Sequence, residues 1–346
     1  MGISDRNEGD AIRNAVDWIR EHVELRESTS AESLYDHMES QSGEQLSVIY
    51  VPFDAGIRGH FVDRGQIIDY AVLCGPGRVL DFGPGDGWPS LLMAPMVEEV
   101  VGVDGSARRV EVCTENARRL GIENARFVHV PPGDSLPFED ESFGGVTAAS
   151  SIEQTPDPQA TLSELCRVLK PGGRLRMHYE SLGCYVGGQE RELEVGSAAD
   201  AGKLTIYDRH VDQEYVDHYA LTFDIPKEAV NAVFVRHGVQ PPFATPKVLP
   251  HLQPHITDAA TWRTRHPSCR SWVEMLREAG FSSAIPTYDG GWFAWRLFDR
   301  LPGPKRPREM AAVDEMLRTL VEVVVTMEAP PSAAPGEWEP GITAGK

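Results

Sequence analysis

The feature that most constrains this chain is a glycine-rich turn, Gly83-Pro-Gly-Asp-Gly87, set between the apolar run Arg78-Val-Leu-Asp-Phe82 and a helical segment opening near Trp88. Glycines at these places allow a tight turn and let backbone N–H groups approach a ligand closely. A helix that starts just after the turn adds its own free N–H groups. Pro89 suits the first turn of that helix, where its missing N–H costs nothing. Glu99-Val-Val-Gly-Val-Asp104 reads as the next strand. Its terminal carboxylate falls about twenty residues beyond the turn, where one acid can accept from both hydroxyls of a ribose. The third glycine comes one place earlier than in a dinucleotide fingerprint, and Trp88 stands where that fingerprint wants a small residue. A nucleoside with an amino-acid tail fits such a turn better than a pyrophosphate.

Strand and helix patterns alternate from here. Ser106 caps an amphipathic helix to Leu120, stopped by Gly121. Residues 125–130 and 143–149 read as the third and fourth strands. Asp157-Pro158 opens a helix to Lys170, Pro171-Gly172-Gly173 ends it, and residues 173–179 make a fifth strand. Such alternation implies right-handed crossovers and a mostly parallel sheet covered by helices on both faces, a doubly wound α/β domain. The pattern lapses over 181–267 and resumes with a helix over 271–279. Two short strands at 284–288 and 292–297 follow, with Gly290-Gly291 as their hairpin turn, and then a helix over 308–327. Upstream, residues 8–26 carry helical spacing with Asp10 as cap, and Ser30 opens a second helix to Met38. The expected organisation is an N-terminal helical cap (1–64), an α/β core (65–180), a substrate-cap insertion (181–267), the end of the core (268–300), a C-terminal helix (301–328) and a tail (329–346) too rich in Pro, Gly and Ala to pack.

Composition narrows the partners. The formal net charge of −19 repels phosphate backbones and anionic membranes, so nucleic acid and membrane surfaces are not expected. No run is long and apolar enough to span a bilayer. Five cysteines without a CxxC pair, and no leader at the start, fit a reducing, cytoplasmic setting. A small molecule is the expected partner, and a homodimer is left open.

Four stretches together resemble the successive motifs of class I S-adenosylmethionine-dependent methyltransferases: Val79 to Gly87, Val101 to Ser106, Gly133-Asp-Ser-Leu-Pro-Phe138, and Arg167-Val-Leu-Lys-Pro-Gly-Gly173. Leu276-Arg-Glu-Ala-Gly-Phe281 resembles that fold's usual end. The resemblance implies a Rossmann-like, seven-stranded sheet whose last strand is antiparallel, and S-adenosylmethionine as cofactor. It implies that Asp81, Gly83, Pro84, Gly85, Asp86 and Gly87 lie near the methionine portion, Asp104 with Gly105 and Ser106 at the ribose, and Asp134 with Ser135 near the adenine, with Ser150 also on the cofactor side. The stretch between Asp134 and Leu136-Pro-Phe138 is shorter than the family's, and Gly144 stands where the family often has an acid.

Methyl transfer from a sulfonium needs a nucleophile held in line and often a proton acceptor. Substrate is expected beyond the carboxyl ends of strands four and five, where Glu153, His178, Tyr179 and Glu180 are the candidate catalytic residues. Strand alternation places His178 and Glu180 on one face and Tyr179 on the other. The six histidines between His210 and His266 show no metal-ligand set, so no metal is expected. The expected activity is methyl transfer to a small organic molecule, with O-methylation favoured and a place in specialised metabolism. The alternatives are a non-methyl-transfer displacement at the sulfonium (cyclisation or aminopropyl-type transfer) and a non-catalytic cofactor-binding partner protein.

Overall fold

A computed structural model describes residues 3–28, 53–185, 190–198, 200–238, 240–241, 245–330 and 339–346. The chain divides into two units. The smaller draws on residues 1–40 and 181–268, and the larger on residues 41–180, 269–332 and 338–346. Helix α1 (Ile3–His22) and the two-residue strand β1 (Arg26–Glu27) open the smaller unit. The helix begins ahead of Asp10, so that residue is not its cap. The helix expected over Ser30–Met38 lies outside the described residues.

The larger unit starts with α2 (Arg58–Cys74), followed by β2 (Arg78–Phe82), a single turn α3 (Ser90–Met93) and β3 (Glu99–Asp104). Then come α4 (Ala107–Leu120), β4 (Ala125–His129), β5 (Phe143–Ala149), α5 (Pro158–Val168) and β6 (Leu169–His178). Strands β4, β3, β2, β5 and β6 pair in that spatial order, all parallel. Val79, Leu80, Val100, Val101 and Val146 are fully buried, as strands covered on both faces require. The expected caps are present: the Ser106 hydroxyl accepts from Arg109 N at 3.1 Å, and the Asp157 carboxylate from Ala160 N at 3.0 Å. Gly121 ends α4 in the left-handed region at φ 65°.

The stretch without clear periodicity is mostly sheet. It holds β7 (Arg191–Ala198), β8 (Ala201–His210), β9 (Tyr215–Phe223), α6 (Lys227–Arg236), α7 (Thr245–Leu252) and β10 (Ile256–Arg265). The sheet order is β1-β10-β9-β8-β7, antiparallel except where β1 joins β10. Ile12, Val16 and Ile19 of α1 share one core with Leu204, Ile206, Leu221 and Phe223 of this sheet and with Phe234 and Leu249 of α6 and α7. The N-terminal helix and the insertion therefore make one folded unit with its own core.

The chain then returns to the larger unit with α8 (Cys269–Glu278), β11 (Ser283–Thr287), α9 (Gly290–Arg300), α10 (Met310–Val324) and β12 (Gly341–Gly345). Two expectations are corrected here. Residues 292–297 are helix, not the second strand of a hairpin, because Asp289 accepts from Trp292 N at 2.6 Å and starts α9. Gly290 sits where α9 meets α2 so closely that an added Cβ would lie 2.1 Å from the Gly65 carbonyl oxygen. The seventh strand is instead β12, from the segment expected to be disordered. It inserts antiparallel between β6 and β11 and completes the order β11-β12-β6-β5-β2-β3-β4. Ile342 and Ala344 are fully buried there. The seven-stranded, largely parallel architecture stands, with a different segment as its antiparallel strand.

Candidate active site

The glycine turn lies at the carboxyl end of β2, at the sheet's centre. Gly83 N donates to Val103 O at 2.8 Å, and Gly87 N to Pro84 O at 2.8 Å. Gly83, Gly85 and Gly87 have φ of 75°, 61° and 115°. A Cβ on Gly83 would stand 2.4 Å from Ser151 Cβ and one on Gly87 2.5 Å from Leu91, whereas Gly85 faces space with nothing within 4 Å. The inner glycines answer to packing, and Gly85 keeps the surface of the turn bare. From outside, Asn116 Nδ2 donates to Asp86 O at 2.8 Å and Cys113 Sγ to Gly85 O at 3.2 Å.

Two carboxylates support this turn. Asp104, at the end of β3, accepts from Gly85 N at 3.2 Å and from Ser106 N at 2.9 Å. Burial pushes its pKa up, against those two N–H groups. Asp81 is fully buried beneath the turn, accepting from Ser90 Oγ at 2.5 Å and Thr147 Oγ1 at 3.0 Å. Burial pushes it up to about 7, again against its hydrogen bonds. Asp81 is thus a brace between β2, α3 and β5. The Ser106 hydroxyl is spent on the α4 cap, and Gly105 lies beside it at the same strand end. Asp134 and Ser135 are exposed in the loop after β4, with Asp134 N closing a turn onto Pro131 O at 3.1 Å. Arg167 pins the end of that loop through Leu136 O at 3.0 Å, Phe138 O at 2.8 Å and a paired contact to Glu164. Ser150 is exposed at φ 49° after β5, its N–H held by His178 O at 2.8 Å.

The four catalytic candidates do not share one environment. His178, at the end of β6, points to α2: its Nδ1 lies 2.8 Å from Tyr70 Oη and its Nε2 2.8 Å from Gln66 Nε2. Burial, with the Arg176 guanidinium in support, holds its pKa well below the usual imidazole value, so it is neutral. Tyr179 points the other way into the core, its ring 6.2 Å from Trp272, and burial raises its pKa. Glu180 is exposed, and its N–H donates to Glu153 Oε1 at 3.0 Å. Glu153 is 4% exposed in the turn after β5, and its Oε2 has no hydrogen-bond partner among the described residues. Burial pushes this carboxyl up to about 7, against backbone N–H groups.

Beside His178 lies a cluster that motif reading missed. Arg176 and Asp69 are both fully buried and pair through two bonds of 2.7 Å. The remaining guanidinium hydrogens go to Thr287 Oγ1, Thr343 Oγ1 and Tyr288 O, and Gly290 N donates to Asp69 Oδ2 at 2.8 Å. Ligand atoms of Asp69, His178 and Asp289 come within 4.8 Å of one another. Arg176 already occupies both Asp69 oxygens, and Asp289 Oδ1 caps α9, so the cation of this cluster is the chain's own guanidinium. The available signal was an arginine in the middle of the apolar run Leu175-Arg-Met177.

A bare glycine turn, a strand-end carboxylate nineteen residues beyond Gly85, and a polar cluster at the same sheet edge define a nucleotide-type site in a doubly wound domain. Residues 80–177 match the model of a family described as methyltransferase domain. That match supports a class I S-adenosylmethionine-dependent methyltransferase domain over these residues, with S-adenosylmethionine as the cofactor such a domain takes. An uncharacterized methyltransferase of Bacillus subtilis is 38% identical over 119 residues, 34% of this chain and 47% of that protein. A demethylmenaquinone methyltransferase of Clavibacter sepedonicus is 41% identical over 99 residues, 28% of this chain and 39% of that protein. A 27-O-demethylrifamycin SV methyltransferase of Amycolatopsis mediterranei is 33% identical over 101 residues, 29% of this chain and 37% of that protein. The chain thus spans less than half the length of each of these three relatives. Among the described residues no helix is long and apolar enough to cross a membrane.

The residues present fit the cofactor. Gly85 leaves open space at the turn, and Asp104 retains lone pairs for a diol beyond its two backbone contacts.

Proposed function

We propose that this protein transfers a methyl group from S-adenosylmethionine to a hydroxyl oxygen of a small organic molecule. The observation that carries this reading is Glu153: one oxygen pinned by Glu180 N, the other unpartnered, in the turn that follows β5. A hydroxyl acceptor must lose its proton as the oxygen attacks, and a carboxyl near pKa 7 is matched to that task. The Glu180 N–H holds Oε1 in place, which leaves Oε2 to take the proton. The cofactor, when bound, supplies an activated methyl carbon on a cationic sulfur. Asp104 would hold its ribose diol, and the turn from Gly83 to Gly87 its amino-acid portion. His178, neutral and tied to Tyr70 and Gln66, would orient the acceptor by hydrogen bonding rather than take its proton. The rifamycin relative, named for an O-demethyl substrate, agrees with a hydroxyl acceptor and with specialised metabolism. Catalysis through Tyr179 is not part of this reading, because its ring is buried against Trp272.

The test is transfer from methyl-labelled cofactor to a panel of hydroxylated small molecules, read by mass. Labelled product together with S-adenosylhomocysteine supports the reading. Cofactor consumed without methylated acceptor would replace it with a different displacement at the sulfonium, and absence of cofactor binding would end both. In an active assay, E153Q should lower kcat by about 10²- to 10⁴-fold and remove the acid limb near pH 7, while H178F should act mainly on KM. An unchanged pH profile in E153Q would exclude Glu153 as the base.

A further inference from the structure

The sheet of the smaller unit has two unlike faces. Leu204, Ile206, Tyr219, Leu221 and Ala259 lie on the face that packs with α1, α6 and α7. On the opposite face, Tyr207, His218 and Trp262 occupy directly paired positions on three neighbouring strands. The three rings make a continuous set: His218 stacks on Trp262 at 4.7 Å and 6°, and meets Tyr207 edge-on at 5.3 Å. The pairs two positions along the same face, Thr205, Ala220 and Ala260, are small. Ala220 and Ala260 are each 5% exposed, so the small positions beside the large rings are a buried part of this face.

The polar atoms of this row are unfinished. His218 is 8% exposed, and its Nε2 lies 2.8 Å from Thr264 Oγ1. Its Nδ1 and the indole Nε1 of Trp262 are both buried without a hydrogen-bond partner among the described residues. An unmet buried donor or acceptor costs about 1–3 kcal/mol, so two such atoms on adjacent stacked rings need a reason. An indole N–H can only donate, so its partner must present an acceptor such as an oxygen.

We propose that this face is a binding site for a planar, oxygen-bearing aromatic molecule, seated against the His218 and Trp262 rings with its oxygen on the indole N–H. The aromatic row supplies stacking area and the two unpaired nitrogens supply orientation. Every residue in the site belongs to the smaller unit.

The test uses 2-naphthol as probe and trans-2-decalol, of similar size but not flat, as comparator, both titrated into the full-length protein without cofactor. Two-dimensional NMR of the indole N–H groups follows Trp262, identified by its loss in W262F. Naphthol should shift that resonance and bind at least tenfold more tightly than decalol. Both W262F and H218F should weaken binding about tenfold, which corresponds to about 1.4 kcal/mol. Should W262F fail to fold, H218F still marks the Trp262 resonance through its altered ring environment. An unmoved Trp262 resonance at saturating naphthol, or full affinity in H218F, would overturn the site. Equal binding of decalol would overturn the planar ligand class.

Discussion

Single residues decide what the glycine turn can hold. Asp104 has to keep two backbone N–H groups and still present lone pairs outward, a pattern asparagine cannot reproduce because its amide nitrogen would face an N–H. A hydrogen bond to a charged group contributes about 1.5–3 kcal/mol, so D104N should weaken cofactor binding by roughly 10- to 100-fold in calorimetry. The unfolding midpoint should fall as well, because one of the two backbone N–H groups loses its acceptor at a buried site. Asp81 differs, since its partners are Ser90 and Thr147 and it braces the turn from below. Both acids belong to one legible motif, yet sequence alone could not separate ligand contact from bracing. That distinction depends on which side chains from α3 and β5 converge on the carboxylate.

At the scale of elements, the glycines of the C-terminal part misled in an instructive way. Gly290-Gly291 has the composition of a hairpin turn, but here the pair lets α9 approach α2 at Gly65. Neighbouring Asp289 was the local cue, an N-cap at the start of a helix. Strand β12 was hidden for the opposite reason: five residues bounded by glycines carry almost no period-2 signal. Its glycine has a physical duty, since a Cβ on Gly341 would stand 2.7 Å from the Arg176 guanidinium carbon. The substitution Gly341→Val should therefore displace a fully buried ion pair and cost about 3–5 kcal/mol in urea unfolding. A cost near zero would mean that Arg176 has somewhere else to go. The parallel strands β2 to β6, by contrast, were legible because each is short, apolar and punctuated by caps.

At the scale of the molecule, buried titratable groups set how stability responds to pH. Glu153 is pushed up to about 7, so between about pH 4.5 and 7 the native state binds more protons than the unfolded chain. Its contribution to stability is therefore greatest below that window and declines as pH rises through it, by up to about 3 kcal/mol. Asp81 acts with the same sign. His178, pushed down, opposes both: the unfolded chain takes its proton first, so stability from that group rises with pH towards about 6.5. Unfolding of E153Q followed from pH 4.5 to 8 isolates one component. The wild-type advantage over the variant should shrink steadily with rising pH, and a flat difference would show that Glu153 titrates normally.

The position of β12 also bears on how a ribosome would deliver this fold. Strand β6 is finished at His178, but its outer neighbour begins at Gly341, roughly 160 residues later. At about 5–20 residues per second, the nascent chain would carry a long unpaired edge for about ten to thirty seconds. During that interval the whole of the smaller sheet, β7 to β10, emerges and can fold around its own core. The half-built larger sheet is then the aggregation-prone species during synthesis, because an open edge invites pairing with another chain. Slower elongation between β6 and β12 would lengthen that exposure, and a chaperone that covers a sheet edge would have its greatest effect there.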